Sequence, residues 1–169
     1  MTDEEIHKQL RHWHKDSFGW ALHCCAGNEA DAEDILQTVY LKVLEGKAKF
    51  DGKSAFKTWL FSVIRFSAID ALRRQKVRQS KLEIVKKEAE TSTMIVEESE
   101  EASAEPDLEK FKAALERLPD RQREILLLVF YHDHSISEAA VVMGVSLGTA
   151  RTHYERGKEA LRKTLSMEQ

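Results

Sequence analysis

Between Ala55 and Lys76 the apolar positions recur at helical spacing. Leu60, Val63, Ile64, Ser67 and Ala71 fall on one side, which predicts an amphipathic helix with a buried face. The opposite side carries Thr58, Ser62, Arg65, Ile69, Arg73 and Lys76, a stripe of donors and cations bordered by Trp59 and Phe66. Cations aligned with hydroxyls and aromatics suit a nucleic-acid backbone with unstacked bases nearby. A core helix with a solvated basic edge gives the same pattern, so this stretch alone leaves both readings open.

Upstream, Thr2 and Glu5 have the spacing of a capping box, which predicts a helix from the N-terminus carrying Ile6 and Leu10. It continues, with a break, through Trp13, Phe18, Ala21 and Leu22 to Cys25, and Gly27 is a natural stop. Asn28 then caps a second helix, with Glu29 and Asp31 in its first turn where the helix dipole favours anions, and Gly46 ends it. Ala32, Ile35, Leu36, Val39 and Val43 form its core side. Asp34, Gln37, Thr38, Leu41 and Glu45 form a second stripe, polar with one leucine, that suits solvent or a partner surface. The loop from Gly46 to Ala55 is short and basic, and Phe50 stands in it between lysines, placed to stack on a base or to fold back on the core.

From Val77 to Asp107 the chain turns acidic and poor in core residues. It reads as a flexible linker, although Lys81 to Glu90 has the composition to prolong a helix. Beyond it, Leu108, Phe111, Leu115 and Leu118 predict a short helix stopped at Pro119, and Asp120 is placed to cap the next, strongly apolar run. The remainder divides into two helices, the first capped by Ser135 or Ser137 and the second by Ser146. Ala140 permits close packing, Gly144 turns the chain, and Ala150 packs inward: the arithmetic of a helix-turn-helix. The second helix is expected to bury Leu147, Ala150, Tyr154, Gly157 and Leu161. Arg151, Thr152, Glu155, Arg156, Lys158 and Arg162 are left outside, a face suited to the major groove.

The whole chain of 169 residues thus reads as all-α, two small helical domains with a linker: residues 1–76, 77–107 and 108–169. Two prolines, seven glycines and no alternating β-branched run agree with that class. No apolar run approaches the roughly 18 residues of a membrane span, and the acidic opening MTDEEIHKQL is not that of a signal peptide. Cys24 and Cys25 are adjacent in a helical pattern, which disfavours a mutual disulfide and points to a reducing cytoplasm. His7, His12, His14 and His23 match no paired-ligand spacing, and the His132-Asp133-His134 run lacks a third ligand, so no metal or other cofactor is expected. With no phosphate-binding glycine loop and no nucleophile beside a base, neither is catalysis.

Net charge is −3, yet its distribution matters more than its sum. Residues 1–76 carry 12 cationic against 11 anionic side chains, residues 108–169 carry 10 against 9, and residues 77–107 carry 4 against 9. Near-neutral flanks cannot hold DNA tightly through counterion release alone, so a chain of this kind would read DNA within a larger assembly.

Three blocks together resemble the extracytoplasmic-function (ECF) sigma factors of bacterial RNA polymerase, over residues 10–76 and 108–165. DAEDILQTVYLKVLEG is similar to the family's polymerase-binding helix, AEDLxQExF and its continuation. FDGKSAFKTWLFSVIRFSAIDALRRQK resembles its −10 reading and melting segment, FxTWLxxIARNxAIDxLRR. LERLPDRQREILLLVFYHDHSISEAAVVMGVSLGTARTHYERGKEALRK resembles its −35 reading domain. The chain departs from the pattern at Phe66, where Asn is usual, at Thr38, where Glu is frequent, and at Gly157, where Ala is usual and glycine costs a helix about 1 kcal/mol.

The resemblance implies a sigma region 2 bundle and a sigma region 4 helix-turn-helix, joined by the acidic linker threading the polymerase's RNA exit path. Asp34, Gln37, Thr38 and Leu41 would dock the clamp helices of the largest polymerase subunit. Phe50, Lys53, Ser54, Trp59, Ser62, Arg65, Phe66, Arg73 and Arg74 would serve the −10 element, the loop receiving a base flipped from the non-template strand. Ser146, Thr149, Arg151, Thr152, Glu155, Arg156 and Lys158 would serve the −35 element. The implied partners are core RNA polymerase, promoter DNA and an anti-sigma factor, in this family often membrane-anchored. The competing expectation is a stand-alone dimeric helix-turn-helix regulator, which uses the last domain and leaves the helix from Ala55 idle.

Overall fold

The computed structural model describes residues 1–83 and 106–167. Contacts along the chain divide it into two units, Met1–Glu98 and Ser99–Gln169. Each has its own core.

The first unit is built from α1 (Asp3–His12), α2 (His14–Cys24), α3 (Glu29–Leu44) and α4 (Phe56–Glu83). Thr2 and Glu5 form the full capping box: Glu5 N–H donates to the Thr2 hydroxyl at 3.3 Å and Thr2 N–H to the Glu5 carboxylate at 2.7 Å. The expected break falls at Trp13, which bends the path between α1 and α2. Ala26 and Gly27, both at positive φ, reverse the chain, and Asn28 caps α3 by accepting from Asp31 N–H at 3.0 Å.

Trp20 sits at the centre of this unit with no exposed surface. Its indole N–H donates to the Phe61 carbonyl at 3.1 Å, and the two rings stack 5.6 Å apart and 5° from parallel. The buried side chains of α3 are those the periodicity picks out: Ala32, Ile35, Leu36, Val39 and Val43. In α4 the buried arc differs from the expectation. Phe56, Thr58, Leu60, Phe61, Ile64, Ser67 and Ala68 are buried, Val63 is half-buried, and Ala71 is exposed. Thr58 therefore belongs to the core and not to the outward stripe. The N-terminal half of α4 packs on both α2 and α3, so it is covered over a wider arc than one apolar face. From Ala71 to Leu82 every residue of α4 is exposed. The helix also passes the boundary expected at Lys76 and runs on to Glu83; residues 84–105, most of the expected linker, lie outside the described residues.

The second unit contains α5 (Pro106–Glu116), α6 (Asp120–Leu126), a π-helical turn at Leu127–Tyr131, α7 (Ile136–Met143) and α8 (Leu147–Met167). Ala114, Leu115, Leu118, Leu126 and Leu161 form one buried cluster, with Phe111 and Tyr154 packed against it. Ile125, Leu128, Ala139, Ala140, Val142, Met143 and Ala150 are also buried. Asp120 is not the cap of α6. Pro119, extended at φ −53 and ψ 146, occupies that position, and the Asp120 carboxylate instead pairs with Arg123 at 2.6 Å. The apolar helix expected beyond it widens at its end, where His132 N–H reaches back five residues to the Leu127 carbonyl at 3.1 Å. Ser135 caps α7 by accepting from Glu138 N–H, and Gly144 ends it at φ +66, a left-handed conformation that glycine adopts without penalty. Leu147, expected in the core, is 38% exposed: it lies at the first position of α8, and burial begins only at Ala150.

Candidate nucleic-acid interface

On α3, Asp34, Gln37, Thr38 and Leu41 lie opposite the buried row, all exposed. Leu41 leaves 57% of its surface to solvent and Leu44 beside it 43%. A helix face that alternates carboxylate, amide and hydroxyl with an uncovered leucine offers both hydrogen bonds and apolar area to a partner.

The loop between α3 and α4 is held from both ends. Lys47 N–H and Ala48 N–H both donate to the Lys42 carbonyl, at 2.9 and 3.0 Å. At the other end Asp51 accepts from Lys53 N–H at 3.1 Å, a local turn made possible by Gly52 at φ +76. Phe50 takes the second of its two expected positions. Its ring meets Phe56 edge-on at 5.4 Å and Trp59 at 5.4 Å, forming an aromatic trio at the start of α4. Lys53 is exposed, with its ammonium 3.8 Å from Asp51, and the Ser54 hydroxyl donates to the Ala55 carbonyl at 3.3 Å.

Along α4, Trp59, Ser62, Phe66 and Arg73 share one face at steps of three, four and seven. Phe66 is 69% exposed and stands beside the half-buried Arg65. Trp59, Ser62 and Arg65 are half-buried, and the Ser62 hydroxyl donates to the Trp59 carbonyl at 2.6 Å. Arg73 and Arg74 are exposed, Arg74 pairing with Asp70 at 3.1 Å. Arg78 and Lys81 prolong this cationic, solvent-facing helix, and the sequence pattern missed them because it ended the helix at Lys76. Lys57, by contrast, lies over the rings of Trp13 at 4.8 Å and Phe61 at 5.6 Å, a cation held against the core side.

In the second unit α8 presents Arg151, Thr152, Glu155 and Arg156 exposed, opposite buried Ala150, Gly157 and Leu161. Ser146 caps it, accepting from Thr149 N–H at 3.2 Å while its own hydroxyl donates to Thr149 at 2.9 Å. Thr152 donates to the Gly148 carbonyl at 3.1 Å, which orients its methyl and hydroxyl. Lys158 differs from its neighbours. It is half-buried, with its ammonium 4.6 Å over the Tyr154 ring and 3.7 Å from Glu155, and so stands at the border of the exposed face. Tyr154 stacks in turn with Phe130 at 6.0 Å. The exposed quartet is thus carried on a helix clamped from behind, the arrangement by which a recognition helix enters a major groove.

His132 and His134 are buried in the turn around Asp133, whose φ is +55. Among the described residues no three His, Cys, Asp or Glu side chains lie together as metal ligands would. Burial, and secondarily the Asp31 carboxylate, push the Cys25 thiol up to about 11, which makes it a poor nucleophile.

Comparison with known proteins decides the family. The Sigma-70 region 2 model matches residues 10–78 and the Sigma-70 region 4 model residues 108–161. The ECF RNA polymerase sigma factor SigX of Bacillus subtilis is 30% identical over 159 residues, covering 92% of this chain and 80% of that protein. The chain belongs to the ECF sigma factors. Its fold is also that of the sigma factor RpoE in complex with the anti-sigma factor NepR from Bartonella quintana, at TM-score 0.70 and 22% identity over 98% of this chain and 99% of that one. CnrH, solved with the cytosolic domain of CnrY, matches at TM-score 0.62 and 18% identity over 99% of this chain and 92% of that one. As an ECF sigma factor the protein is a DNA-binding transcription initiation factor that works with core RNA polymerase at promoters. Among the described residues no helix is long and apolar enough to cross a membrane.

Proposed function

We propose that this ECF sigma factor divides promoter recognition between its two units and takes its affinity from the polymerase. Asp34, Gln37, Thr38 and Leu41 dock the clamp helices of the largest subunit. The loop at Phe50, Lys53 and Ser54, with Trp59, Ser62, Arg65, Phe66, Arg73 and Arg74, opens and reads the −10 element. Arg151, Thr152, Glu155 and Arg156 read −35 base edges, while Ser146, Thr149 and Lys158 flank the groove. The observation that carries this reading is the exposed face of α4, where Phe66 and Arg73 stand in line with Trp59 and Ser62. An uncovered aromatic amid cations is the surface that holds an unstacked strand.

Phe66 where the family has Asn replaces a polar base contact with stacking, which favours strand separation over hydrogen-bond readout. The near-neutral charge of both units fits a factor that binds DNA only when the polymerase supplies the electrostatics. The chain acts in the cytoplasm, catalyses nothing itself, and is held inactive by an anti-sigma factor that covers the same faces. The complexes of RpoE with NepR and of CnrH with CnrY support such a partner.

Run-off transcription with bacterial core polymerase and a promoter library, with and without the protein, tests the reading. Initiation that depends on the protein at a shared pair of elements is the expected result. No initiation alongside tight duplex binding by the protein alone would overturn it in favour of the dimeric regulator.

A further inference from the structure

Along α8 the line opposite the buried Ala150, Gly157 and Leu161 runs through Gly148, Thr152, Glu155 and Glu159, at steps of four, three and four. All four are exposed. Arg151 and Arg162 stand on one side of this line, and Arg156 and Lys163 on the other. Counting Lys158 at its border, the face carries five cations against two anions, a sum that conceals the order. The cations form the two margins and the carboxylates lie along the middle.

Gly148 leads the line, and nothing inside the unit calls for a glycine there. Its backbone is ordinary helix, and a Cβ built on it would meet no atom within 4 Å. Glycine weakens a helix, so what its missing side chain provides is room on the outer face, where the α8 backbone can come close to a partner. One turn on, Thr152 has committed its hydroxyl proton to the Gly148 carbonyl at 3.1 Å and brings no donor. Glu155 follows. Its Oε1 lies 3.7 Å from the Lys158 ammonium, too far for a hydrogen bond, and its Oε2 has no partner among the described residues. Glu159, a turn further from the leading end, is paired with Lys163 at 3.4 Å. Glu155 is therefore the carboxylate with an acceptor to offer near the end of the helix that enters a groove.

We infer that Glu155 selects cytosine at one position of the −35 element, accepting from its N4 amine in the major groove. A carboxylate has lone pairs and no proton to give, so it fits a base edge that donates. Guanine and thymine turn acceptor oxygens to the same place and repel it. Adenine offers its N6 amine but sets the N7 acceptor beside it, whereas cytosine has the amine and no neighbouring acceptor of its own. Phosphates repel the carboxylate from both strands, and the arginines on its two sides are placed to offset that. The inference rests on the assignment of α8 to the −35 element.

Its test is promoter binding by the reconstituted holoenzyme on fragments randomised across the −35 element, for wild type, Glu155→Ala, Glu155→Gln and Arg151→Ala. Glu155 is exposed, and alanine and glutamine are both good helix formers, so neither replacement disturbs α8. The expected result is a wild-type preference for cytosine at one position that Glu155→Ala relaxes by about tenfold, while other positions keep theirs. Glu155→Gln should move the choice at that position toward adenine, whose N6 and N7 pair with an amide. Tighter binding by Glu155→Ala on every sequence alike overturns the inference, because that is the relief of repulsion from phosphates. Unchanged preferences in both Glu155 variants, with Arg151→Ala altering −35 choice, also overturn it and leave the α8 assignment standing. Indifference of −35 choice to all three variants brings down the α8 assignment and the inference with it.

Discussion

Gly157 of α8 faces Leu126 of α6 so closely that a Cβ built on it would lie 3.1 Å from Leu126 Cδ1 and 3.3 Å from Gln122 Cβ. A glycine in the middle of a helix costs about 1 kcal/mol, and here the cost is offset by the close approach of the two helices. Gly157→Leu is expected to destabilise the protein by about 1–3 kcal/mol through overpacking. Gly157→Ala should recover less than the full propensity gain, since Gln122 presents Cβ and backbone atoms that cannot swing away. Chemical denaturation followed by helical signal decides it: a full gain of about 1 kcal/mol for Ala would mean the approach is loose.

Trp20 does the same for the first unit, joining α2 to α4 through its hydrogen bond to the Phe61 carbonyl and its stacking on the Phe61 ring. Complete burial of an indole removes about 150–250 Å² from water, worth roughly 4–6 kcal/mol by area alone. Trp20→Ala should cost about 3–5 kcal/mol and unfold the first unit near room temperature. Thermal melts of the variant that keep the wild-type midpoint would contradict this.

Much of this fold is legible because its signals are short-range. The caps at Thr2, Asn28, Ser135 and Ser146 each involve residues three positions apart, so the sequence contains the whole interaction. What is set by distant packing is not. The core position of Thr58 depends on α2 and α3 both lying against the start of α4, and no local period encodes two neighbours. The exposure of Leu147 reflects where α8 first meets its partners, and the π turn at Leu127–Tyr131 carries no residue that marks it. At the site, the exposed faces of α3 and α8 come from periodicity. The retraction of Phe50 into an aromatic trio uses Phe56 and Trp59, close in sequence, but no period in an irregular loop encodes which of its two positions the ring takes.

The α3 face gives a prediction that separates docking from folding. Asp34 and Gln37 are exposed, so Asp34→Lys with Gln37→Lys leaves the core untouched and reverses the local charge. Core polymerase should no longer co-purify with the double variant, while its melting temperature stays within a few degrees of wild type. Undiminished co-purification would remove this face from the polymerase contact.

On α8 the guanidinium of Arg151 is exposed beside Thr152 and Glu155. If it grips a guanine edge with two hydrogen bonds, Arg151→Ala costs about 1–3 kcal/mol and relaxes the choice at one base pair of the −35 element. Holoenzyme binding to a set of −35 substitutions should show that single-position effect. An equal loss on every sequence would reassign Arg151 to the phosphate backbone.

Cys25 gives a prediction in pH. Burial first, and the Asp31 carboxylate second, raise its thiol to about 11, and the thiolate is the reactive form. At pH 8 only about one molecule in a thousand would carry the thiolate, against roughly a quarter for an unperturbed cysteine of pKa about 8.5. In a Cys24→Ser background, alkylation of the folded protein by iodoacetamide should therefore be on the order of a hundredfold slower than alkylation of the unfolded chain at pH 8. The rate should climb about tenfold per pH unit and level off only near 11. The same shift sets the sign for stability. The unfolded thiol ionises first, so the contribution of Cys25 to the fold is complete below the unfolded value near 8.5 and is lost as pH rises toward 11. A plateau in alkylation near pH 8.5 would show that the thiol is solvated, and that neither burial nor Asp31 acts on it.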